Sequence, residues 1–175
     1  MGTVKVTNLE PIADNGTLTI GSSGDTVTFP SGVTVSGAGK VLQVITATDS
    51  TQRSTTSASF VTASNTLSIS ITPSSASNKI FIIATTTTIN QGNQSAFFTI
   101  YRDATNLAGA NGFQYTEGNG GVGQELPTTM SYLDSPSSTS ALTYQFYMKS
   151  NTGGVYTYVN ANAVTGTIIA MEIAG

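Results

Sequence analysis

The chain has no cysteine, no histidine and no tryptophan among its 175 residues. Without cysteine there is no disulfide and no thiolate metal site, and without histidine there is no imidazole ligand. A Ser-His-Asp or Cys-His catalytic arrangement cannot be assembled from one such chain. Charge is nearly as scarce. Charged residues make up 9% of the chain, against roughly 25% in an average soluble domain. The six Lys and Arg are scattered and the net charge is −3. Nucleic-acid binding rests on a cationic footprint, so no nucleic-acid partner is expected. Long apolar runs are missing too. None approaches the ~18 residues of a transmembrane helix, and no membrane insertion is expected. The first six residues lack the apolar stretch of a secretory signal. Val6 stands where a myristoylation motif wants Ser or Thr.

Ser, Thr, Gly and Asn fill the space that charge leaves. Helix formers are few, whereas Thr, Val, Ile, Tyr and Phe favour strands and Ser, Gly and Asn favour turns. Apolar residues still reach 38% and recur in strand-sized runs, which favours a packed all-β protein over a disordered Ser/Thr-rich one.

Residues 18–35 carry the most telling pattern. Leu18/Ile20, Val27/Phe29 and Val33/Val35 are apolar pairs, each with Thr between, separated by the turns 21–25 and 30–32. A period of two puts the apolar pair on one face of a short strand and Thr on the other. One such strip cannot bury its apolar face alone, and 39 residues lie near the ~40-residue limit for independent folding. Identical strips wound about a common axis would bury it. Residues 1–39 are therefore expected to form a short intertwined trimeric β-shaft with those six side chains at its axis. The Gly-rich exit 36–39 is its hinge.

Residues 40–175 are expected to form a β-sandwich head of jelly-roll type. Strands are predicted at 40–46, 59–61, 66–72, 79–83, 96–102, 129–133, 142–148, 155–159 and 167–173, with turn signals every 8–15 residues. The first two are expected to lie near each other. Leu67, Ile69 and Ile71 should face a core, as should Leu142, Tyr144, Phe146 and Met148. The 79–83 run is apolar on both faces, which predicts a central strand covered on each side. The last strand is expected to bury Ile169, Met171 and Ile173. No helix is predicted.

The strip at 16–35 resembles the shaft segments of tail fibres and other virion appendages of tailed bacteriophages, marine phages of cyanobacteria in particular. Residues 3–9, 132–144 and 168–173 are similar to the opening strand and the distal β-domains of the same proteins. The resemblance implies a homotrimer, a virion location that is extracellular when mature, attachment to other virion proteins through the N-terminal segment, and contact with a host receptor.

No cofactor and no metal site are expected; no EF-hand spacing is present. The nine acidic residues are spread singly. Asp103, Glu117, Glu125 and Asp134 fall in predicted loops and read as solvated turn residues. A polysaccharide-degrading enzyme would need two of the carboxylates brought together, for instance across a trimer interface. The run 118–123 has the glycines of a phosphate loop but neither its Lys-Ser/Thr nor a following helix, and reads as a loop between strands. Aromatics are the better binding candidates. Tyr156 and Tyr158 alternate with Val155, Thr157 and Val159, and Tyr115 and Asn119 adjoin or lie in the Gly-rich loop. These four residues are the candidate site for a host-surface glycan, stacked on Tyr rings and hydrogen-bonded by Asn; the same Tyr could instead fill a trimer interface or a sandwich face. Two non-catalytic roles remain open, a host-surface adhesin and a purely structural connector or capsid or tail decoration.

Overall fold

The computed structural model describes residues 40–175, apart from 65, 119, 120, 122 and 153. These belong to one compact unit, Gly37–Gly175. The expected shaft, with Leu18, Ile20, Val27, Phe29, Val33 and Val35 at its axis, lies outside the described residues, as does Asn119.

Twelve strands build two antiparallel sheets. In chain order they are β1 (Val41–Asp49), β2 (Arg53–Thr55), β3 (Val61–Thr62), β4 (Ser68–Ile71), β5 (Lys79–Asn90), β6 (Ser95–Arg102), β7 (Thr105–Asn106), β8 (Gln114–Glu117), β9 (Gln124–Asp134), β10 (Leu142–Ser150), β11 (Thr157–Val159) and β12 (Gly166–Ile173). There is no α-helix among the described residues, only a single 3-10 turn at Ala161–Ala163. The all-β sandwich read from composition and turn spacing is the architecture observed.

The first sheet runs β1-β12-β5-β11-β2, with β9 on the other edge of β5. The second runs β3-β10-β6-β7, with β4 also on β10 and β8 also on β6. The inner faces meet in one core. Ile80, Ile82, Ala84, Met130, Ile168 and Ala170 come from the first sheet; Ile69, Ile71, Phe98, Ile100, Tyr144 and Phe146 come from the second. Each fully buried large apolar side chain of this kind stabilises the fold by about 1.5–3 kcal/mol.

The strand β10 shows why the alternation was readable. Leu142, Tyr144, Phe146 and Met148 are buried, while Thr143, Gln145, Tyr147 and Lys149 point outward. Leu67, Ile69 and Ile71 are buried as expected. Four expectations need correction. Residues 59–61 do not pair near β1: Val61 and Thr62 pair with β10 in the other sheet. The strand at 79–83 is central but runs on to Asn90, and only one of its faces is covered. Ile80, Ile82 and Ala84 are buried, whereas Phe81 and Ile83 are half-buried on the outward face. Asp134 is no solvated turn residue but is buried at the end of β9.

The last strand is reversed. Ile168, Ala170 and Glu172 point inward, and Ile169, Met171 and Ile173 point outward. The reason is the polar company that Glu172 finds. Its carboxylate accepts hydrogen bonds from Gln43 Nε2 at 2.6 Å, Asn78 Nδ2 at 2.6 Å, and the Ser74 amide and hydroxyl at 2.6 and 2.8 Å. Burial pushes its pKa up, but the bonds from Asn78, Gln43 and Ser74 outweigh burial and hold it below the ordinary glutamate value.

Candidate functional site

The outward face of the second sheet carries a belt of aromatic rings. It follows from the period of two: with Phe98, Ile100, Phe146 and Met148 committed to the core, Phe97, Tyr101 and Tyr147 must face out. Tyr101 and Tyr147 stack at 4.0 Å between centroids, and Phe60 meets Tyr101 edge-on at 6.3 Å. Strand register then lines up Lys149, Phe97 and Tyr115 across β10, β6 and β8. Phe97 and Tyr115 stack at 5.9 Å with their planes 29° apart. The Lys149 ammonium lies over both Phe60 and Phe97, at 4.7 and 4.9 Å from the ring centroids.

A groove of about 320 Å³ opens at the Tyr115 end of this row, lined by Ser95, Phe97, Asn111, Tyr115 and Glu117. Ser95 and Glu117 are paired across β6 and β8, one residue pair beyond the buried Ala96–Thr116 pair. Asn111 comes from the connection between β7 and β8. That connection is tied down. Lys149 Nζ donates to the Ala110 carbonyl at 2.7 Å, and the Phe113 amide to the Phe98 carbonyl at 2.9 Å. Gly112 has φ +70°, and a Cβ there would come within 2.3 Å of the Phe98 carbonyl oxygen. Only glycine fits such a position without strain. Tyr115 remains 57% exposed, so its ring is supported from one side by Phe97 and open to solvent on the other.

The four residues expected to share one site are not brought together. Tyr115 belongs to the second sheet, while Tyr156 and Tyr158 flank and occupy β11 of the first. Thr157 and Val159 point into the core, so the two tyrosines face outward, with their rings 5.8 Å apart. They sit on the opposite outer face of the sandwich from Tyr115. Ser95, Phe97, Asn111 and Glu117 were missed as Tyr115's companions. The alternation of 95–102 could have marked Phe97 as outward-facing. Nothing local could have marked Asn111 or paired Glu117 with Ser95, because those follow from strand register.

Three other acidic residues, Asp49, Asp134 and Glu172, are buried and engaged inside the fold, whereas Asp103 and Glu125 are exposed. Arg102 Nη1 donates to both Asp134 oxygens at 2.8 and 2.7 Å, and the Tyr144 hydroxyl donates to the same carboxylate at 2.6 Å. This cluster ties the end of β9 in one sheet to β6 and β10 in the other. Burial, and then the neighbouring Asp134 carboxylate, push the Tyr144 hydroxyl well above the ordinary tyrosine value. Asp49 is buried and accepts from the Ser64 hydroxyl, the Thr51 amide and Arg53 Nε. Burial raises its pKa, but hydrogen bonds from Ser64, Thr51 and Thr66 and the Arg53 charge hold it far below the usual carboxylate range. These carboxylates have donors already engaged and are shaped as structural acceptors. No cluster of three or more acidic side chains that could hold a metal ion is present among the described residues.

The outward face of the first sheet differs in kind. Val44, Met171, Phe81 and Leu133 line up in register across β1, β12, β5 and β9. The next row toward the other end is Thr46, Ile169, Ile83 and Ser131, and the next is Thr48, Thr167, Thr85 and Thr129. Three rows across four strands carry no charge. Val44 and Leu133 are 54% and 47% exposed.

No protein-family model matches the chain, and no curated protein matches it. Among solved structures, the chain is similar to a mutant VP2 protein of infectious bursal disease virus in derived T=1 particles. The identity is 14%, the TM-score 0.39, and the match covers 85% of this chain and 40% of that one. The chain thus spans well under half the length of that protein.

Proposed function

We propose that this chain is a structural, non-catalytic subunit of a virion appendage, a homotrimer whose β-sandwich head adheres to the host cell surface. The observation that carries adhesion is the groove on the outer face of the second sheet. It combines an aromatic pair, open on one side, with three polar side chains, Ser95, Asn111 and Glu117. That is the composition of small-ligand sites, in which apolar area supplies affinity and a few polar groups fix orientation. Three heads on one shaft would multiply weak single contacts into useful avidity. The absence of His and Cys, and the engagement of Asp49, Asp134 and Glu172 by donors of their own fold, support a role without catalysis.

A second reading, a connector holding other virion proteins, is favoured by the uncharged row of Val44, Met171, Phe81 and Leu133 on the outer face of the first sheet. Full-length protein mixed with intact cyanobacterial cells separates the readings. Adhesion predicts sedimentation of the protein with cells and no release of reducing sugar. Failure to sediment with any strain to which the parent virion adsorbs would leave the connector. Release of reducing sugar, abolished by a single Asp or Glu substitution, would establish the polysaccharide-degrading alternative.

A further inference from the structure

We infer that the groove beside Tyr115 accepts an uncharged pyranose unit and rejects anionic ones; this deepens the adhesion proposed above and rests on it. The argument starts from the ring pair. Phe97 backs Tyr115 at 5.9 Å, so the tyrosine is held as a platform whose outer surface is open. A pyranose chair with an apolar C–H face stacks on such a platform. A planar nucleobase would stack there as well. The wall decides between them. Among Ser95, Phe97, Asn111, Tyr115 and Glu117 there is one carboxylate and no cation. Nucleotide recognition needs a positive surface for the phosphate, and this wall offers the opposite sign.

The same carboxylate sorts sugars. Glu117 accepts hydrogen bonds from hydroxyls, and Asn111 both donates to and accepts from them. A uronic acid or a phosphorylated sugar would place a second negative charge beside Glu117. Lys149 lies behind Phe97 and is already bonded there. Its ammonium lies on the β10 side of Phe97, between that ring and Phe60, and donates to the Ala110 carbonyl. It braces the wall that carries Asn111 and is not itself among the residues that line the groove, where Glu117 is the one charged side chain. The site therefore favours a neutral hexose with a continuous C–H face, and a repulsive element is built in against acidic polysaccharide.

The test uses the full-length chain, saturation-transfer NMR and calorimetric titration. The probes are cellotetraose, mannotetraose and galactotetraose as neutral sugars and tetragalacturonate as the acidic counterpart. Saturation of the ring protons of at least one neutral probe is expected, with no response from tetragalacturonate. Tyr115→Ala should weaken the neutral probe about tenfold. Because the ring is largely exposed, the variant's thermal midpoint should stay close to that of the parent. Glu117→Gln should let tetragalacturonate bind and, because a charged acceptor for the sugar hydroxyls is lost, weaken the neutral probe a few-fold. Tyr156→Ala, on the other face, should change nothing. Binding of tetragalacturonate to the parent chain as tightly as any neutral probe overturns the inference, as does unchanged sugar binding by Tyr115→Ala. Absence of binding by every neutral probe overturns it too. Cell sedimentation that persists in Tyr115→Ala removes this site while adhesion stands. Neutral-sugar binding without cell sedimentation leaves the site and removes adhesion.

Discussion

The two outer faces of the sandwich are built by the same rule and end with opposite characters. Both are what remains after alternate residues have been committed to the core. On the second sheet the remainder is aromatic and partly charged: Phe97, Tyr101, Tyr147, Tyr115, Lys149 and Glu117. On the first, three charge-free rows across β1, β12, β5 and β9 are mainly aliphatic and threonine-rich, with Tyr156 and Tyr158 beyond them at β11. The aromatic face has relief, because rings and a tethered connection enclose a groove. The aliphatic face is an array of side chains in regular register across four strands. Relief with a few polar groups suits a small ligand, whereas an uncharged apolar surface suits another protein. On the function proposed above, recognition falls to one side of the head and assembly to the other.

The largest expected effect breaks the aliphatic side. Val44→Asp with Leu133→Asp adds two carboxylates to the outer row of that face. Both side chains are about half exposed and point away from the core, so the head should still fold. If the chain is the proposed homotrimer and this face is covered in it, each carboxylate is stripped of water without a partner, and threefold symmetry repeats the penalty. A buried polar group without a partner costs several kcal/mol, and a charge more. Native mass spectrometry should show loss of trimer, while neutral-sugar binding by each separate chain persists. An intact trimer would mean that the face is open in the assembly and that the shaft alone holds the chains.

A smaller effect comes from Gly112, behind the aromatic side. Gly112→Ala puts a methyl group against the Phe98 carbonyl oxygen at a positive φ. The connection must shift, at a cost of about 1–3 kcal/mol. Asn111 moves with it. The expectation is a lower thermal midpoint and loss of sugar binding together, with the trimer intact. A variant that binds sugar as the parent does would show that Asn111 takes no part in the site.

Acid should act on the side opposite the groove. Glu172 is the inward residue of β12, and its orientation turns Ile169 and Met171 out onto the aliphatic face. Its pKa in the folded chain lies below the ordinary glutamate value of 4.5. The stabilisation that this shift supplies is fully present above that value. It is lost as pH falls below it and through the folded value, because the unfolded chain then binds the proton more readily. Asp49 adds a loss of the same sign, starting below the ordinary aspartate value of 3.8. Urea midpoints should therefore be insensitive to pH between 7 and 5 as far as these two groups go, and fall below about 4.5. Glu172→Gln should lower the midpoint at pH 7 and flatten the acid limb. An unchanged acid limb in that variant would mean that the carboxylate is not held as described.

How much of this was legible in the sequence differs between strands. β10 was readable because only one phase of its alternation is apolar: Leu142, Tyr144, Phe146 and Met148 against Thr143, Gln145, Tyr147 and Lys149. β12 has apolar residues in both phases. Ile169, Met171 and Ile173 form the more hydrophobic set, and local hydrophobicity chooses it for the core. The opposite set wins because Gln43, Ser74 and Asn78, about a hundred residues or more away, satisfy the one carboxylate in it. Asp134 was hidden in the same way. Its loop-like sequence context says turn, and its partners Arg102 and Tyr144 arrive on other strands. The candidate site was half legible. Alternation put Tyr156 and Tyr158 on one face without saying which, and which sheet each tyrosine joins depends on pairing that no local pattern encodes. Hence Tyr115 lies across the sandwich from them, beside Phe97 and Glu117.

The smallest expected effect sharpens the aromatic side by asking what its one cation does. Lys149 has three engagements: two ring faces, at 4.7 and 4.9 Å, and the Ala110 carbonyl at 2.7 Å. Cation–π contacts at partly exposed sites are worth about 0.5–1 kcal/mol, and a hydrogen bond to a charged donor adds a similar net amount at the surface. Lys149→Met keeps the apolar stem, so packing against Phe60 and Phe97 is largely retained. What is lost is the charge over the rings and the tether on the wall that carries Asn111. The thermal midpoint should fall slightly, and neutral-sugar affinity should weaken a few-fold, because Asn111 is less well held. Tetragalacturonate should still not bind. A lysine that served as an anion site in the parent chain would give a different pattern, with acidic probes bound by the parent and released by the variant. That result would reverse the sign of the proposed selectivity and make the aromatic face a receptor for acidic rather than neutral polysaccharide.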